Sequence, residues 1–149
     1  MKRLVKTWWG KKFLDTVGQF VDPSSLARGR QFLTQNKLTE FRLEGSSVSA
    51  QSKRKLQTMN AFEPRQHYTA TLTFKTIEST HWDDALKLIG SRAGYITRLL
   101  FNEMPDEIEA PLSALGINLI PSNSQDLKAR CSCDENEAPC RHVAALFYF

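Results

Sequence analysis

Cys131-Ser-Cys133-Asp-Glu-Asn-Glu-Ala-Pro-Cys140-Arg-His142 holds all three cysteines of the chain and one of its three histidines. Three thiolates and one imidazole form a complete tetrahedral set for Zn²⁺, with no coordination position left for water. Residues at i and i+2 of an extended segment point to one face. Cys131 and Cys133 can therefore aim at a single ion if residues 126–130 enter as a strand. Residues 134–139 are rich in turn formers and can fold back over the ion. The apolar run 143–149 reads as a helix, with Cys140 before or in its first turn and His142 just inside. The positive end of that helix favours a thiolate at Cys140. Val143, Leu146 and Phe147 share one helical face and are expected to dock on the rest of the chain. Loss of Cys140 is then expected to unfold the last segment and spare the remainder. The ligand spacing is tighter than in common fingers. Two alternatives stand beside zinc. A disulfide framework usually needs an even cysteine count and an oxidising compartment. A Cys/His nucleophilic pair would leave two ligand-type residues unexplained.

Cys131-x-Cys133, six residues, Cys140-x-His142 and then Val-Ala-Ala resemble the SWIM zinc finger. Thr7-Trp-Trp-Gly10, Leu26-Ala-Arg-Gly-Arg30 and Leu119-Ile-Pro121 are similar to upstream features of bacterial SWIM zinc finger family proteins, so the resemblance runs over nearly the whole chain. It implies association with nucleic acid and with protein partners, often beside SWI/SNF-type helicases or Mutator-type transposases. It also implies further sequence past the finger. The family often carries Pro-Asp-Trp after the second cysteine; here Asp134-Glu-Asn136 stands in that place, and the tryptophan is missing.

The rest of the chain reads as α+β. Trp9, Phe13, Val17 and Phe20 form a helical stripe. Asp22-Pro23 reads as the cap and first residue of a second helix, burying Leu26, Gly29 and Leu33. Gly29 inside that helix costs about 1 kcal/mol relative to alanine, which points to close packing. From residue 38 the period changes to two. Thr39, Phe41 and Leu43 alternate with charged residues, Val48 and Ala50 lie on a return strand, and Tyr68, Ala70, Leu72 and Phe74 mark a third. Together they predict a small antiparallel sheet with one polar face. A helical segment follows. Trp82, Leu86 and Ile89 are expected on the buried side of one helix, and Ile96, Leu99 and Leu100 on that of the next. A third helix starts at Pro105 with a kink or restart near Pro111. The expected organisation is an α+β body over residues 1–121 and a zinc-bound strand–turn–helix over residues 122–149.

The net charge of +4 conceals an asymmetry: residues 1–75 carry 14 Lys or Arg against 5 Asp or Glu, and residues 76–149 carry 6 against 11. A basic half suits a polyanion. Three thiolates leave a Zn²⁺ site formally negative, and Asp134, Glu135 and Glu137 add to that. Phosphate contacts are therefore expected at Arg28, Arg30, Lys53, Arg54 and Lys55, with Lys11 and Lys12, while the finger acts as a staple or a protein dock. The function expected is a zinc-stabilised module binding nucleic acid, DNA foremost, together with a helicase-type partner; a protein-interaction adaptor is the alternative. No catalytic constellation stands apart from the zinc set, so no enzyme is expected. No run is long and apolar enough for a membrane span, and Lys2-Arg3-Leu4-Val5 is too short and polar to open a signal peptide. The expected compartment is the cytoplasm.

Overall fold

The computed structural model describes residues 5–35, 38–53, 67–135 and 138–149. Helix α1 (Trp8–Phe20) begins where the Thr7 hydroxyl accepts the Gly10 N–H at 3.2 Å. Helix α2 (Pro23–Gln35) begins at Asp22, whose carboxylate accepts the Ser25 N–H at 3.0 Å and the Ser24 hydroxyl. A carboxylate at this position satisfies an orphan amide of the first turn. Val17 is buried, and Phe13, Leu14 and Phe20 pack around it. Trp9, at the end of the expected stripe, is exposed. Trp8 turns inward instead, and its indole N–H donates to the Met104 carbonyl at 2.9 Å. On α2 the fully buried aromatic is Phe32; Leu26 and Leu33 are only partly covered.

Four antiparallel strands make one sheet in the order β1 (Leu38–Glu44), β2 (Ser47–Lys53), β3 (His67–Phe74), β4 (Leu127–Cys131). The fourth strand is the one expected to lead into the zinc ligands, and it pairs along β3 with Phe74 opposite Leu127 and Ala70 opposite Cys131. Alternation holds on β2 and β3, where Ala50, Ser52, Ala70 and Leu72 are buried. It fails on β1. Glu40 takes φ +51°, and the register slips between Thr39 and Arg42. A bulge of this kind shifts the parity of the strand. Leu38 alone is buried, while Phe41 and Leu43 are exposed. Helix α6 (Arg141–Leu146) lies on the apolar face of the sheet and packs against α2. Residues 122–149 thus share one core with α1, α2 and the sheet.

A second cluster gathers Ala85, Tyr95, Ile108, Leu112 and Ile117. It is built by α3 (Ser79–Gly90), α4 (Ala93–Leu100), a 3₁₀ turn at Asp106–Ile108 and α5 (Glu109–Ala114). The restart expected near Pro111 falls at residue 109, so Pro111 sits in a first turn, where its missing N–H costs nothing. Of the residues expected on the buried faces of α3 and α4, Ile89 and Leu99 pack against this cluster and the others are exposed. Trp82 is 45% exposed, Leu86 61% and Leu100 78%. Ala85 and Tyr95 occupy the interior. The Tyr95 hydroxyl donates to the Glu107 carbonyl at 3.0 Å, so its ring can be buried with its polar end satisfied. A single helical layer covers only one stripe of each helix, and these two residues define it.

Candidate metal centre

Each ligand is placed by a different local device. Ser132 extends the ladder by one residue: its N–H donates to the Thr69 carbonyl at 3.0 Å, and its hydroxyl accepts the Thr69 N–H at 2.9 Å. Ser132 is thereby turned toward β3. Cys140 is the N-cap of α6 with extended backbone (φ −68°, ψ 166°), and His142 is the second residue of the helix. The loop between the two pairs is fastened by Glu135, which ion-pairs with Arg141 at 2.6 Å and accepts the Arg141 N–H at 3.4 Å.

The four donor atoms of Cys131, Cys133, Cys140 and His142 lie within 4.8 Å of one another. The Cys140 sulfur stands 3.8 Å from His142 Nδ1. Zn–S bonds of about 2.3 Å at tetrahedral angles put donors roughly 3.8 Å apart, so the cluster has the size that ion requires. Cys140 and His142 are 4% and 3% exposed; Cys131 and Cys133 are half-buried. The hydrogen bond with Cys131, then those with His142 and the Val143 N–H, hold the Cys140 thiol down near 3 against the opposing cost of burial. Cys131 is pushed up, foremost by its hydrogen bond with Cys140 and next by burial, and Cys133 is raised chiefly by burial. These four residues can hold a metal ion, and three sulfurs with one imidazole are the donor chemistry of zinc.

Three residues that the ligand pattern did not disclose complete the site. The His142 ring meets Phe32 edge-on and Tyr68 at a tilt, each with centroids 5.0 Å apart. Phe32 comes from α2 and Tyr68 from β3, so the body supplies the walls of the centre. Gly29 makes this possible. A Cβ built there would fall 2.4 Å from the Ala144 carbonyl carbon, so only glycine lets α2 approach α6 this closely. Phe32 follows one turn later on the same face. The helix-interior glycine was the signal for it.

The basic residues expected at a polyanion are divided between layers. Arg28 folds back along α2, donating to Ser24 at 3.1 Å and Ser25 at 2.8 Å. Arg30 is exposed on the same helix, near the half-buried Tyr148, whose phenol is raised chiefly by burial. Lys12 is ion-paired to Glu109 at 2.6 Å, and Lys11 is exposed. Lys53 ends β2 opposite His67, on the side of the sheet away from α6. Arg54 and Lys55 lie outside the described residues.

Comparison with known proteins agrees with the reading of the C-terminal stretch. The family model of the SWIM zinc finger matches residues 115–149. Over 145 residues, 97% of the chain, the sequence is 26% identical to the uncharacterized protein Rv2102 of Mycobacterium tuberculosis. The chain spans about half the length of that relative, 50%. No solved structure matches. The SWIM match starts at Leu115, at the end of α5, and takes in β4, all four ligands and α6. Among the described residues no helix is long and apolar enough to cross a membrane.

Proposed function

We propose that the chain is a zinc-stapled module that binds nucleic acid, DNA foremost, through the face of its sheet opposite α6. The ion has a structural role in this reading. Four protein donors fill a tetrahedral shell and leave no position for a reacting water, so the site contributes folding energy and no catalytic step. A helicase-type partner belongs to the same proposal, through the SWIM resemblance.

The observation that carries the reading is the composition of the sheet face opposite α6, uncovered among the described residues. Strand registers place Arg42, Lys53, Lys128 and Arg130 there, among the hydroxyls of Ser49, Thr69, Thr71 and Thr73. All four cations are exposed. Glu44 brings a carboxylate to the far end of this face, opposite Ser47. Cations set among hydroxyl donors suit phosphate oxygens. Arg28 and Arg30 stand on the helical layer and would need a second surface.

Binding of fluorescent single- and double-stranded DNA at several salt concentrations tests this. Replacing Lys53, Arg54 and Lys55 by alanine is expected to lower affinity and flatten the log–log salt slope by up to about three units. Replacing Arg28 and Arg30 is expected to do less. Binding that is absent, insensitive to salt, or lost only in the Arg28/Arg30 variant would reject the sheet face.

A further inference from the structure

The two edges of the sheet are β1 and β4, and they are finished differently. β1 is blunted by the bulge at residues 40–41 and by Phe149, whose ring lies 4.8 Å from that of Phe41. Among the described residues β4 has neither a bulge nor a ring set against it. The bonds from the Ser132 N–H to Thr69 and from the Lys75 N–H to Asp126 fix which residues of β4 turn toward β3. They are the even-numbered ones, Lys128 and Arg130 among them. The N–H and C=O groups of Leu127, Ala129 and Cys131 therefore point away from the sheet. Among the described residues no strand pairs with that side of β4. Unpaired groups on an edge strand are a template for another strand.

Beside this edge runs a groove of about 480 Å³. Its apolar wall is made by Phe20, Val21, Leu127, Ala129, Val143 and Phe147, and at one end it opens onto Cys131, Cys133, Cys140 and Glu135 of the metal centre. The side chains of Leu127 and Ala129 point into it, while those of Lys128 and Arg130 alternate onto the opposite face, both exposed. We infer that the outer edge of β4 takes an extended segment of a partner protein as a fifth strand, apolar at alternate positions and acidic at those between. The apolar side chains enter the groove, and the acidic ones stand beside Lys128 and Arg130. In the register centred on Ala129, charge disfavours a second copy of this chain. Antiparallel pairing of two β4 strands about Ala129 would set Lys128 against Arg130, and like charges directly opposite are destabilising. This site shares Lys128 and Arg130 with the sheet face of the nucleic-acid reading, and Ala129→Pro, which leaves both side chains in place, tells the two apart.

The test uses the zinc-loaded full chain and an end-blocked eight-residue peptide of alternating valine and glutamate. Fluorescence anisotropy measures affinity, and amide exchange locates the contact. Binding is expected to slow exchange at Leu127, Ala129 and Cys131, and a valine–lysine peptide is expected to bind at least tenfold more weakly. Ala129→Pro removes an outward N–H and leaves the β3 ladder its donors, since an edge strand tolerates proline on its free side; it is expected to weaken binding at least tenfold with zinc content unchanged. Should Ala129→Pro not fold, Lys128→Glu with Arg130→Glu decides, with the preference expected to reverse to the valine–lysine peptide. The inference is overturned by absence of binding, by equal affinity for both peptides, or by full affinity in a folded Ala129→Pro protein. Sedimentation showing a dimer that Ala129→Pro dissociates would also overturn it, by making a second copy the occupant.

Discussion

At position 29 two physical effects oppose each other, and the structure says which prevails. In an isolated helix, alanine is about 1 kcal/mol better than glycine. Here the added methyl group would meet Ala144 and the Ala145 nitrogen at 2.4–2.6 Å, and the obstacle is largely the backbone of α6, which cannot rotate away. Overpacking of this kind costs about 1–3 kcal/mol. Gly29→Ala is therefore expected to lower stability in denaturant titrations. It is also expected to weaken metal retention in a chelator competition, because it moves Phe32 off His142. Increased stability would mean that α2 and α6 can separate without cost. His142 shows how far ligand spacing alone reaches. The spacing with Cys140 identified it as a donor, but its walls come from Phe32 and Tyr68, 110 and 74 positions earlier.

At the scale of elements, α6 has six residues and would be marginal alone in water. Two things hold it: the ligands at its start, and burial of Val143, Leu146 and Phe147, each 4% exposed or less. Burying such side chains contributes about 1.5–3 kcal/mol apiece. Leu146→Asp places a carboxylate in that interior and is expected to cost on the order of 4 kcal/mol, an exceptional value for one substitution. Thermal unfolding and solubility check it; an unchanged melting temperature would show that the metal alone fixes the helix. Element type was legible wherever one side of the chain had a clean period. β2 and β3 keep theirs because both strands are paired on both sides. β1 loses its period to a backbone feature, the left-handed Glu40, that no hydrophobic pattern announces. On α3, residues 82, 86 and 89 and residues 85, 88 and 89 both have helical spacing, and packing against α4 and α5 selects the second set.

For the whole molecule, the metal centre joins two sets of elements that the chain places far apart. β4 and α6 sit in one core with α1, α2, β2 and β3. The second cluster, around Tyr95 and Leu112, lies apart from it and contains no ligand. α1 spans the two through Trp8 to Met104 and Lys12 to Glu109. Metal analysis of protein purified without chelator is expected to give one zinc per chain. Cys140→Ser, or chelation, is then expected to do more than release a tail. Apparent zinc affinities of about 10–16 kcal/mol in finger peptides set the upper scale of the loss. Amide exchange should speed up in α2, α6 and β4, while amides near Tyr95, Ile108 and Leu112 keep their protection. If only residues past 131 lost protection, α6 would be an appendage after all; if nothing changed, the ion would have no structural role.

The sequence by itself determined which four donor residues converge, the strand before them, the helix after them and the α+β class. Those properties depend on residue type and local spacing: cysteine is scarce, a strand repeats every two residues and a helix every 3.6. It also placed the cap at Asp22, since a cap is made within three residues. Only the tertiary structure decided that β4 completes the sheet, that Gly29 admits α6, that Phe32 and Tyr68 enclose His142, and that Lys53 and Arg28 stand on different layers. Each of these depends on which surfaces meet across many residues, and meeting is governed by shape and by backbone hydrogen bonding between segments. Local periodicity carries neither.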